Sequence, residues 1–456
     1  MRPATLSEAA RAMDAELQTA HVNALVGGAA TDSRKVREGD LFFALRGRTD
    51  GADFAPEAHL RGAVATVATR RLDVPTLVVD DPLEALQRLA RWTLVRGDAP
   101  SPTVVGITGT VGKTTTKDAL ATILRHAGRR VSATAGNFNN EIGLPLTILA
   151  SDPRTEVLVL EMGATHAGDI QYLCAIAPPD IGILTAISPV HLDSFGTLED
   201  LAAAKGELAL SLPESGTLIA PAGAPETATG SGRSLERITF ARAGEADLVA
   251  SEIEGTEEGL RFVASMGGES AEVRSPVFGT HLVEPLLAAL GGALVLGLDL
   301  KQAARGLSRL RRTGLRGDLY SLKEDIIVYD DSYNASPAAV AAVLKYGADQ
   351  ARRQRRRLVV VLGGMFELGA CARAYHREAG ELAAEVGVDL LVCVGDEARW
   401  YAETFPGRAI FYPDAESAAD ALRTELRARD YLVVKGSRGV GLDTLTRKLR
   451  ESLALV

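Results

Sequence analysis

The stretch GITGTVGKTTTKDAL, residues 106–120, contains the residue types that hold the phosphates of a nucleotide. The backbone N–H groups of a glycine-rich turn and the positive end of a following helix both favour a phosphate chain. Lys113 would reach the outer phosphates, and the Thr114 hydroxyl would be available to Mg²⁺. The predicted ATP-binding residues here are Gly109, Thr110, Val111, Gly112, Lys113, Thr114 and Thr115.

The motif alone is a weak signal. The strict phosphate-loop pattern has glycine where this chain has Ile107, so only the shorter G-x-x-G-K-[ST] pattern matches, from Gly109. Its context is more informative, since a strand-like TVVGI precedes it and a helical KDALATILRHAG follows. The spacing of Gly106, Gly109 and Gly112 also suits a dinucleotide fingerprint, but a pyrophosphate bound by backbone alone needs no lysine such as Lys113.

Three further residues could serve a magnesium–nucleotide site. Glu161 follows the strand-like VLVL and offers the hard oxygen ligands that Mg²⁺ prefers. His191 ends the next strand-and-loop segment, and Lys205 lies in the helical AAAKGELAL. By residue type alone, Glu161 could equally be an ordinary loop glutamate and Lys205 a solvated lysine.

The elements that must position these residues are predicted to be buried parallel strands. From Thr103, β-branched runs alternate with helical ones, and each run ends in a polar cluster: TVVGITGTVGKT, EVLVLEMGA and IGILTAISPVHLD. Ligands of such sheets bind at the carboxyl ends of the strands. From Leu315 onward IIVYDDSYN, LVVVLGGMFELG, LLVCVGD and YLVVKGSR predict a second parallel sheet.

A chain of 456 residues is too long for one compact core, and we expect three α/β domains. The predicted divisions are a small α/β N-terminal domain at 1–100, a central phosphate-loop domain with a mostly parallel sheet at 101–314, and a Rossmann-like C-terminal domain at 315–456. The strand-like runs DLFFAL, AVATVAT and PTLVVDD belong to the first. The polar GDAPSPT that follows it is predicted to be a linker.

Charge and cysteine content exclude several classes of function. There are 50 Lys and Arg against 59 Asp and Glu, a net charge of −9, which offers no broad basic face for nucleic acid. Cys174, Cys371 and Cys393 form no close pair, so we expect reduced thiols rather than zinc or disulfides. The N-terminal segment carries acidic residues, and no run of about 18 apolar residues follows, which predicts a cytoplasmic protein without membrane insertion.

Eight segments, spread over essentially the whole chain, resemble the Mur ligase family. They are TDSRKVREGDLFFAL (residues 31–45), GITGTVGKTTTKDAL (106–120), GNFNNEIGLPLTIL (136–149), EMGATHAGDI (161–170), HLDSFGTLEDLAAAKGEL (191–208), YDDSYNASP (329–337), FELG (366–369) and VKGSR (434–438). NFNNEIGLPLT and DDSYNASP resemble the member that adds D-alanyl-D-alanine to UDP-N-acetylmuramoyl-tripeptide. The Asp-Asn-Pro-Arg typical of the diamino-acid-adding member is absent.

The resemblance implies a reaction and its substrates. ATP would pass its γ-phosphoryl group to the tripeptide carboxylate, and the amine of D-alanyl-D-alanine would displace phosphate from the acyl phosphate. In the family the lysine matching Lys205 is carbamoylated by CO₂, which turns a cation into an anionic oxygen ligand. With His191 it would hold a second Mg²⁺, while Thr114 and Glu161 would hold the first.

Further site roles are implied residue by residue. Ser33 and Arg34 would bind the UDP end, and Asn137, Asn139 and Asn140 would bind the muramyl substrate. Asp331 and Asn334 would contact the ribose and base of ATP, and Arg316 would contact its γ-phosphate. A capping or turn role is the alternative for each asparagine. Lys435 and Arg438 are either substrate-side cations or structural residues at a strand end.

The chain departs from the family pattern at several positions. Val111 and Ala186 stand where asparagine is common, and Ala52 stands where a histidine is common. In GTHLVEPLLAA, Leu282 and Pro285 replace two asparagines, which puts the middle-domain contact to the adenine edge in doubt.

Two other functions stay open at this stage. A sibling amide ligase with another acyl acceptor would use the same ATP and metal chemistry. A phosphate-loop switch or transport ATPase would hydrolyse ATP without an acceptor amine and would not need Lys205. For a ligase, the phosphate loop and Arg316 can meet only if the third domain closes on the second, and we expect a monomer.

Overall fold

The computed structural model describes residues 1–97, 100–190, 192–230, 232–256, 258–311 and 314–453. Three sheets of five or more strands follow one another along the chain, and we call the parts built on them the first, second and third domains. Parallel strands flanked by helices dominate each sheet, which confirms the predicted α/β fold of three domains. Every helix in the described ranges is too short or too polar to cross a bilayer.

The first domain contains a five-stranded sheet in the order β2-β7-β6-β5-β4, parallel except for β2. Strands β1 and β3 form a separate antiparallel pair. Its strands are β1 (Ala4–Thr5), β2 (Glu16–Gln18), β3 (Leu25–Val26), β4 (Gly28–Ala30), β5 (Asp40–Phe43), β6 (Ala65–Ala68) and β7 (Thr76–Val78), and its helices are α1 (Leu6–Met13), α2 (Ala55–Leu60) and α3 (Pro82–Val95).

The second domain contains a nine-stranded sheet in the order β16-β15-β14-β13-β12-β11-β8-β10-β9. Neighbouring strands pair in parallel except at β14–β15 and β15–β16, which are antiparallel, so β15 alone runs against the other strands of this sheet. The strands are β8 (Thr103–Thr108), β9 (Val131–Ala133), β10 (Val157–Glu161), β11 (Ile181–Leu184), β12 (Thr217–Pro221), β13 (Glu236–Ala241), β14 (Leu248–Thr256), β15 (Gly259–Met266) and β16 (Glu269–Ser275). The helices are α4 (Lys113–His126), α5 (Gly143–Leu149), α6 (Asp169–Ile176), α7 (Leu192–Phe195), α8 (Leu198–Leu210), α9 (Val283–Val295) and α10 (Leu300–Leu307).

The third domain contains a six-stranded sheet in the order β17-β18-β22-β19-β20-β21, parallel except for β17. The strands are β17 (Asp318–Leu322), β18 (Ile326–Asp331), β19 (Leu358–Gly363), β20 (Leu390–Val394), β21 (Arg408–Tyr412) and β22 (Tyr431–Lys435). The helices are α11 (Pro337–Arg353), α12 (Ala372–Val386), α13 (Arg399–Ala402), α14 (Ala415–Glu425) and α15 (Leu442–Ser452).

Hydrophobic packing joins the first domain to the second more closely than it joins the third domain to the second. One core combines Leu86 and Leu89 of α3 with Leu144 of α5 and Leu158 of β10, so the first domain packs directly on the second. The third domain has its own two cores, into one of which the second domain contributes Phe278. Buried apolar area is the main stabilising contribution, so we expect the third domain to be the part that moves most easily.

Candidate active site

A cavity of about 770 Å³ lies between the second and third domains, at the carboxyl ends of β8 and β10. Residues from both domains line it, so the phosphate loop and the third domain already face each other. The sequence-predicted site residues among its lining are Gly109, Thr110, Val111, Gly112, Lys113, Thr114, Thr115, Asn137, Asn139, Asn140, Glu161, Lys205, Arg316, Asp331 and Asn334.

The remaining sequence-predicted site residues lie elsewhere. Ser33 and Arg34 belong to a short 3₁₀ turn of the first domain and do not line this cavity. The Ser33 hydroxyl donates to Glu57 at 2.7 Å, and the exposed Arg34 pairs with Asp32 at 2.9 Å. His191 falls outside the described residues.

The phosphate loop leads from β8 into α4, and its glycines are needed sterically. Gly109 and Gly112 have φ of +139° and +86°, a region that residues with a side chain rarely adopt. A Cβ at Gly109 would collide with the Thr185 hydroxyl, and one at Gly112 would lie 2.9 Å from Pro285 Cγ. The Thr185 hydroxyl also donates to the Val111 carbonyl at 2.6 Å, which fixes the loop against the end of β11.

Val111 and Ala186, which stand where asparagine is common in the family, therefore leave the phosphate loop intact. The Val111 contact uses its carbonyl, and the Ala186 carbonyl accepts from the Thr110 N–H at 3.0 Å. Because both contacts are made by backbone atoms, they do not depend on the asparagine side chains that are common at these positions.

Lys113 begins α4, and its side chain is partly buried in the cavity wall. Its Nζ donates to the Gly109 carbonyl at 2.7 Å and to the Thr110 carbonyl at 3.3 Å. Burial lowers the pKa of Lys113, Glu161 opposes this shift, and the nearby Arg316 guanidinium adds to it. The Lys113 ammonium and the Arg316 guanidinium, which belong to different domains, therefore lie close to each other in the cavity. A phosphate anion bound between them would stabilise both positive charges.

Glu161 ends β10, and both of its carboxylate oxygens are hydrogen-bonded in the cavity wall. The Thr114 hydroxyl donates to Oε2 at 2.8 Å, and the Asn139 amide donates to Oε1 at 2.9 Å. The Glu161 backbone N–H donates to the Thr134 hydroxyl at 2.9 Å. Thr114 and Glu161 therefore present adjacent oxygen atoms, the donor type that suits Mg²⁺.

Lys117 supports this carboxylate indirectly, and sequence reasoning missed it. Its side chain is buried within α4, where Nζ donates to the Thr134 carbonyl at 2.8 Å and pairs with Asp118 at 2.9 Å. Thr134 in turn holds Glu161. The sequence shows only a lysine in the first turns of a predicted helix. Such a lysine is normally exposed to solvent, so its buried position was not predicted.

Lys205 lies in α8 with only 2% of its surface exposed. Its Nζ donates to the Ala164 carbonyl at 3.2 Å and lies 5.4 Å from the centre of the Phe195 ring. Burial lowers the pKa of Lys205 to about 7, with a smaller contribution from Lys113. With a pKa of about 7, a substantial fraction of the Lys205 amine is neutral and nucleophilic near neutral pH.

The asparagines of the 136–149 segment combine a structural role with exposure to the cavity. The Asn140 side-chain oxygen accepts a 2.9 Å hydrogen bond from the N–H of Gly143, the first residue of α5. Asn139 is bonded to Glu161, whereas Asn137 lines the cavity. Asn140 therefore makes a local contact at the start of α5 and also lines the cavity, so its substrate role stays a prediction.

The third-domain wall is organised around Tyr333. The Arg316 guanidinium lies 3.8 Å from the centre of the Tyr333 ring, and the Tyr333 N–H donates to the Leu315 carbonyl at 3.0 Å. Leu315 and Gly317 have φ of +65° and +75°, so the chain on both sides of Arg316 is in the left-handed region. This geometry directs Arg316 into the cavity and could not be predicted from the sequence.

Lys435 and Asp331 form an ion pair at 2.5 Å, and Lys435 Nζ also donates to the Asn334 carbonyl at 2.8 Å. Lys435 is therefore a structural cation that holds the segment predicted to meet the ribose and base. Arg438 also lines the cavity, pairs with Asp443 at 3.0 Å and lies 5.8 Å from the Tyr333 ring centre.

The wall where the family pattern has two asparagines is mostly apolar. Leu282 lines the cavity, and Pro285 packs against Gly112. His281 also lines it, and its Nδ1 is buried without a hydrogen-bond partner among the described residues. Burial lowers the pKa of His281 to about 4, which keeps the imidazole neutral at physiological pH.

The comparisons with known proteins agree with this geometry. The family model "Mur ligase middle domain" matches residues 107–293, "Mur ligase, glutamate ligase domain" matches 315–438, and "Mur ligase family, catalytic domain" matches 26–92. The chain is 33% identical to the UDP-N-acetylmuramoyl-tripeptide--D-alanyl-D-alanine ligase of Bacillus subtilis strain 168, over 94% of each chain.

Solved structures extend the similarity to the fold. MurF from Acinetobacter baumannii superposes with a TM-score of 0.89, at 28% identity and over 99% of each chain. The MurF ligase from Thermotoga maritima in complex with ADP has a TM-score of 0.81 and 31% identity, over 93% of this chain and 97% of that one. With these matches over nearly the whole chain, this protein belongs to the Mur ligase family.

Proposed function

We propose that this chain is an ATP-dependent ligase that joins D-alanyl-D-alanine to UDP-N-acetylmuramoyl-tripeptide, with ADP and phosphate as the other products. The observation that carries the proposal is that one cavity is lined both by the phosphate loop and Glu161 and by Arg316 and Asp331 of the third domain. Relatives with this substrate name match over nearly the full length of the chain.

The nucleotide is placed by the phosphate loop. Backbone N–H groups of the loop and the start of α4 take the phosphates, and Lys113 exchanges its carbonyl contacts for phosphate oxygens. Arg316 approaches the γ-phosphate from the third domain, and Asp331 and Asn334 face the ribose and base. Positioning and charge neutralisation account for most of the catalysis, because phosphoryl transfer needs little covalent help from the protein.

The reaction proceeds through an acyl phosphate. A carboxylate oxygen of the tripeptide attacks the γ-phosphorus, the bond between the β- and γ-phosphates breaks, and ADP leaves. The dipeptide amine then attacks the acyl carbon, loses a proton, and the carbon–oxygen bond to phosphate breaks. Arg316 and Lys113 neutralise negative charge during the first step.

Thr114 and Glu161 fit a Mg²⁺ ion, because they supply neighbouring hard oxygen atoms beside the phosphate loop. No cluster of three His, Cys, Asp or Glu side chains that could hold a metal occurs in the described ranges, which suits an ion that takes its other ligands from phosphates and water. Mg²⁺ there would neutralise phosphate charge.

Lys205 is the proposed site of carbamoylation by CO₂. The neutral amine forms a nitrogen–carbon bond with CO₂ and loses a proton, which gives an anionic carbamate. Its supporting observations are the burial of Lys205 and its hydrogen bond to the Ala164 carbonyl. A second Mg²⁺ would need this carbamate and His191, so the second site rests on the sequence resemblance.

The substrate roles of Ser33 and Arg34 at the UDP end, and of Asn137, Asn139 and Asn140 at the muramyl end, are part of the same proposal. The first domain and the cavity would then bind opposite ends of one extended substrate. A cytoplasmic monomer stays the prediction made from the sequence.

Acceptor choice separates this function from that of a sibling ligase. The protein is incubated with ATP, Mg²⁺ and UDP-N-acetylmuramoyl-tripeptide, together with D-alanyl-D-alanine, free D-alanine or a diamino acid. We expect a product heavier by one dipeptide, formed only with D-alanyl-D-alanine, by mass spectrometry. Equal use of a free amino acid would assign the chain to another acceptor class.

A further inference from the structure

Glu141 and Tyr172 line the cavity from the second domain, and both contact the first domain. We propose that they bind the side chain of the third residue of the tripeptide, and that this side chain ends in an ammonium group. The Glu141 carboxylate contacts the ammonium group, and the Tyr172 ring packs on the methylene chain that carries it. This inference rests on the proposed function and names the class of tripeptide within it.

The Glu141 carboxylate is available to a ligand. Among the described residues of the second domain, the carboxylates that line the cavity are those of Glu141, Glu161 and Asp169. Glu161 accepts hydrogen bonds on both oxygens. Asp169 Oδ2 accepts from the backbone N–H groups of Thr165 and His166, both at 2.8 Å. Within the described ranges the exposed Glu141 carboxylate takes part in no hydrogen bond or ion pair.

Gln87 of α3 holds both residues in place from the first domain. Its side chain is buried, its amide nitrogen donates to the Glu141 carbonyl at 3.0 Å, and its amide oxygen accepts from the Tyr172 hydroxyl at 2.5 Å. Arg91 of the same helix donates to the Ala175 carbonyl of α6, which is the helix that carries Tyr172. Because one amide binds both, the Glu141 backbone and the Tyr172 hydroxyl are close neighbours.

Tyr172 remains open to the cavity although its hydroxyl is bound. The residue is 48% exposed. An aromatic ring beside a carboxylate complements an alkylammonium chain, since the ring packs on the methylene groups and attracts the cation, while the carboxylate neutralises its charge. A side chain without a positive charge would gain only the packing contact.

Asn139 relates this pair of residues to the reacting end of the substrate. It is bonded to Glu161, beside the phosphate loop, where the tripeptide carboxylate must meet the γ-phosphate. Glu141 follows two residues later and contacts the first domain, which would bind the UDP end. Two residues span at most about 7 Å, a length that an extended lysine side chain also covers. The carboxylate of the third residue can therefore lie near Glu161 while its side-chain ammonium reaches Glu141.

The charges in the cavity favour the same orientation. Lys113 and Arg316 lie near each other at the phosphate loop, where they attract the tripeptide carboxylate and repel an ammonium group. Glu141 offers the opposite charge on the segment that leads to the first domain. A third residue with both a carboxylate and an ammonium group is thus bound in one direction only.

The test compares two UDP-N-acetylmuramoyl-tripeptides whose third residue is L-lysine or Nε-acetyl-L-lysine. Acetylation removes the positive charge and keeps the methylene chain. We expect the wild type to use the lysine substrate with a kcat/KM about tenfold higher, chiefly through KM, as expected for a hydrogen bond to a charged group.

Glu141→Gln should abolish this preference, because the amide has the same shape but no charge. The exposed Glu141 carboxylate has no protein partner in the described ranges to lose, so the variant is expected to fold normally. Glu214→Gln, at an exposed position that does not line the cavity, is the control and should keep the preference. A tenfold preference for lysine that persists in Glu141→Gln would overturn the proposal.

Two substitutions of Tyr172 separate the ring from the hydroxyl. Tyr172→Ala should raise the KM for both tripeptides, since both carry the methylene chain. Tyr172→Phe keeps the ring and should keep the preference for lysine. KM values in Tyr172→Ala within twofold of the wild type for both substrates would exclude the ring as a contact.

The same assays distinguish this inference from the proposed function. If the wild type joins D-alanyl-D-alanine to both tripeptides equally well, the ligase function stands and the contact with Glu141 is rejected. If it forms no product from either tripeptide, the proposed function itself is rejected.

Discussion

The Thr114 hydroxyl donates a 2.8 Å hydrogen bond to Glu161 Oε2, and this contact joins the phosphate loop to the end of the neighbouring strand. It places a hydroxyl and a carboxylate, both buried, at one point of the cavity. Two oxygen donors fixed in this way can share a divalent cation with the phosphates of a nucleotide.

Glu161→Gln therefore tests the metal site. The amide keeps the shape of the side chain but loses its negative charge, so activity should fall by about 100-fold or more, and the Mg²⁺ concentration for half-maximal rate should rise. The measurement is a Mg²⁺ titration of the steady-state rate. Thr114→Ser, which keeps the hydroxyl, is the control. An unchanged Mg²⁺ dependence in Glu161→Gln would remove Glu161 from the metal site.

Lys205→Ala tests the carbamate. Without the amine no carbamate can form, and nearly all activity should be lost. An added short-chain carboxylate should restore part of it, because it supplies an anionic oxygen ligand in the vacated space. Lys345→Ala, on the exposed side of α11, should behave as the wild type does. Full activity of Lys205→Ala without any additive would contradict the proposal.

His281 should make the stability of the protein depend on pH. Its folded-state pKa is about 4, against an ordinary value of 6.5, chiefly because of burial; Asp331 opposes the shift, while Lys435 and Arg242 add to it. Between these values the unfolded chain binds a proton that the folded chain does not, so stability falls as pH drops from 6.5 towards 4. The loss of folding stability caused by protonation of His281 is at most about 3 kcal/mol, and partial exposure of the ring makes it smaller.

The matching measurement is the thermal unfolding midpoint as a function of pH. Between neutral and acidic pH, the unfolding midpoint of His281→Gln should fall by less than that of the wild type. His21→Gln, at an exposed position, should keep the wild-type slope. Identical slopes for His281→Gln and the wild type would show that His281 does not contribute.

Gly317→Ala tests the segment that carries Arg316. Gly317 has φ of +75°, and an added Cβ would lie 2.8 Å from the hydroxyl of Tyr329. That hydroxyl donates to the Phe278 carbonyl of the second domain at 3.1 Å. The substitution should destabilise this junction by about 1–3 kcal/mol and lower kcat, because Arg316 is displaced.

Gly314→Ala is the matched control, since a Cβ there meets no atom within 4 Å. Solution scattering on both variants, with and without ATP and the muramyl substrate, reports the position of the third domain. The wild type is predicted to compact when both ligands are bound. Wild-type kcat and scattering in Gly317→Ala would contradict a role for this junction.

The strands and loops that could be predicted are those whose characteristic residues are neighbours in the sequence. The run VLVL that leads to Glu161 is buried on both faces of a parallel sheet and so consists of uninterrupted apolar residues. The phosphate loop was recognisable because its glycines and Lys113 are neighbours in the chain. Strand β21 was missed, since it is a partly exposed edge strand and lacks the apolar run.

Contacts made through tertiary structure could not be predicted. Lys117 occupies a helical position that usually faces solvent, and only the fold brings it to Thr134. The stacking of Arg316 on Tyr333 depends on the left-handed φ of Leu315, which no pattern in the sequence indicates.

The most direct test of the proposed reaction is phosphate release from ATP in the presence of Mg²⁺ and UDP-N-acetylmuramoyl-tripeptide, measured with and without D-alanyl-D-alanine. Turnover should require both substrates, with one phosphate released for each dipeptide joined. ATP hydrolysis at the same rate without the dipeptide would contradict the account, since it would make the cavity the site of an ATPase rather than of a ligase.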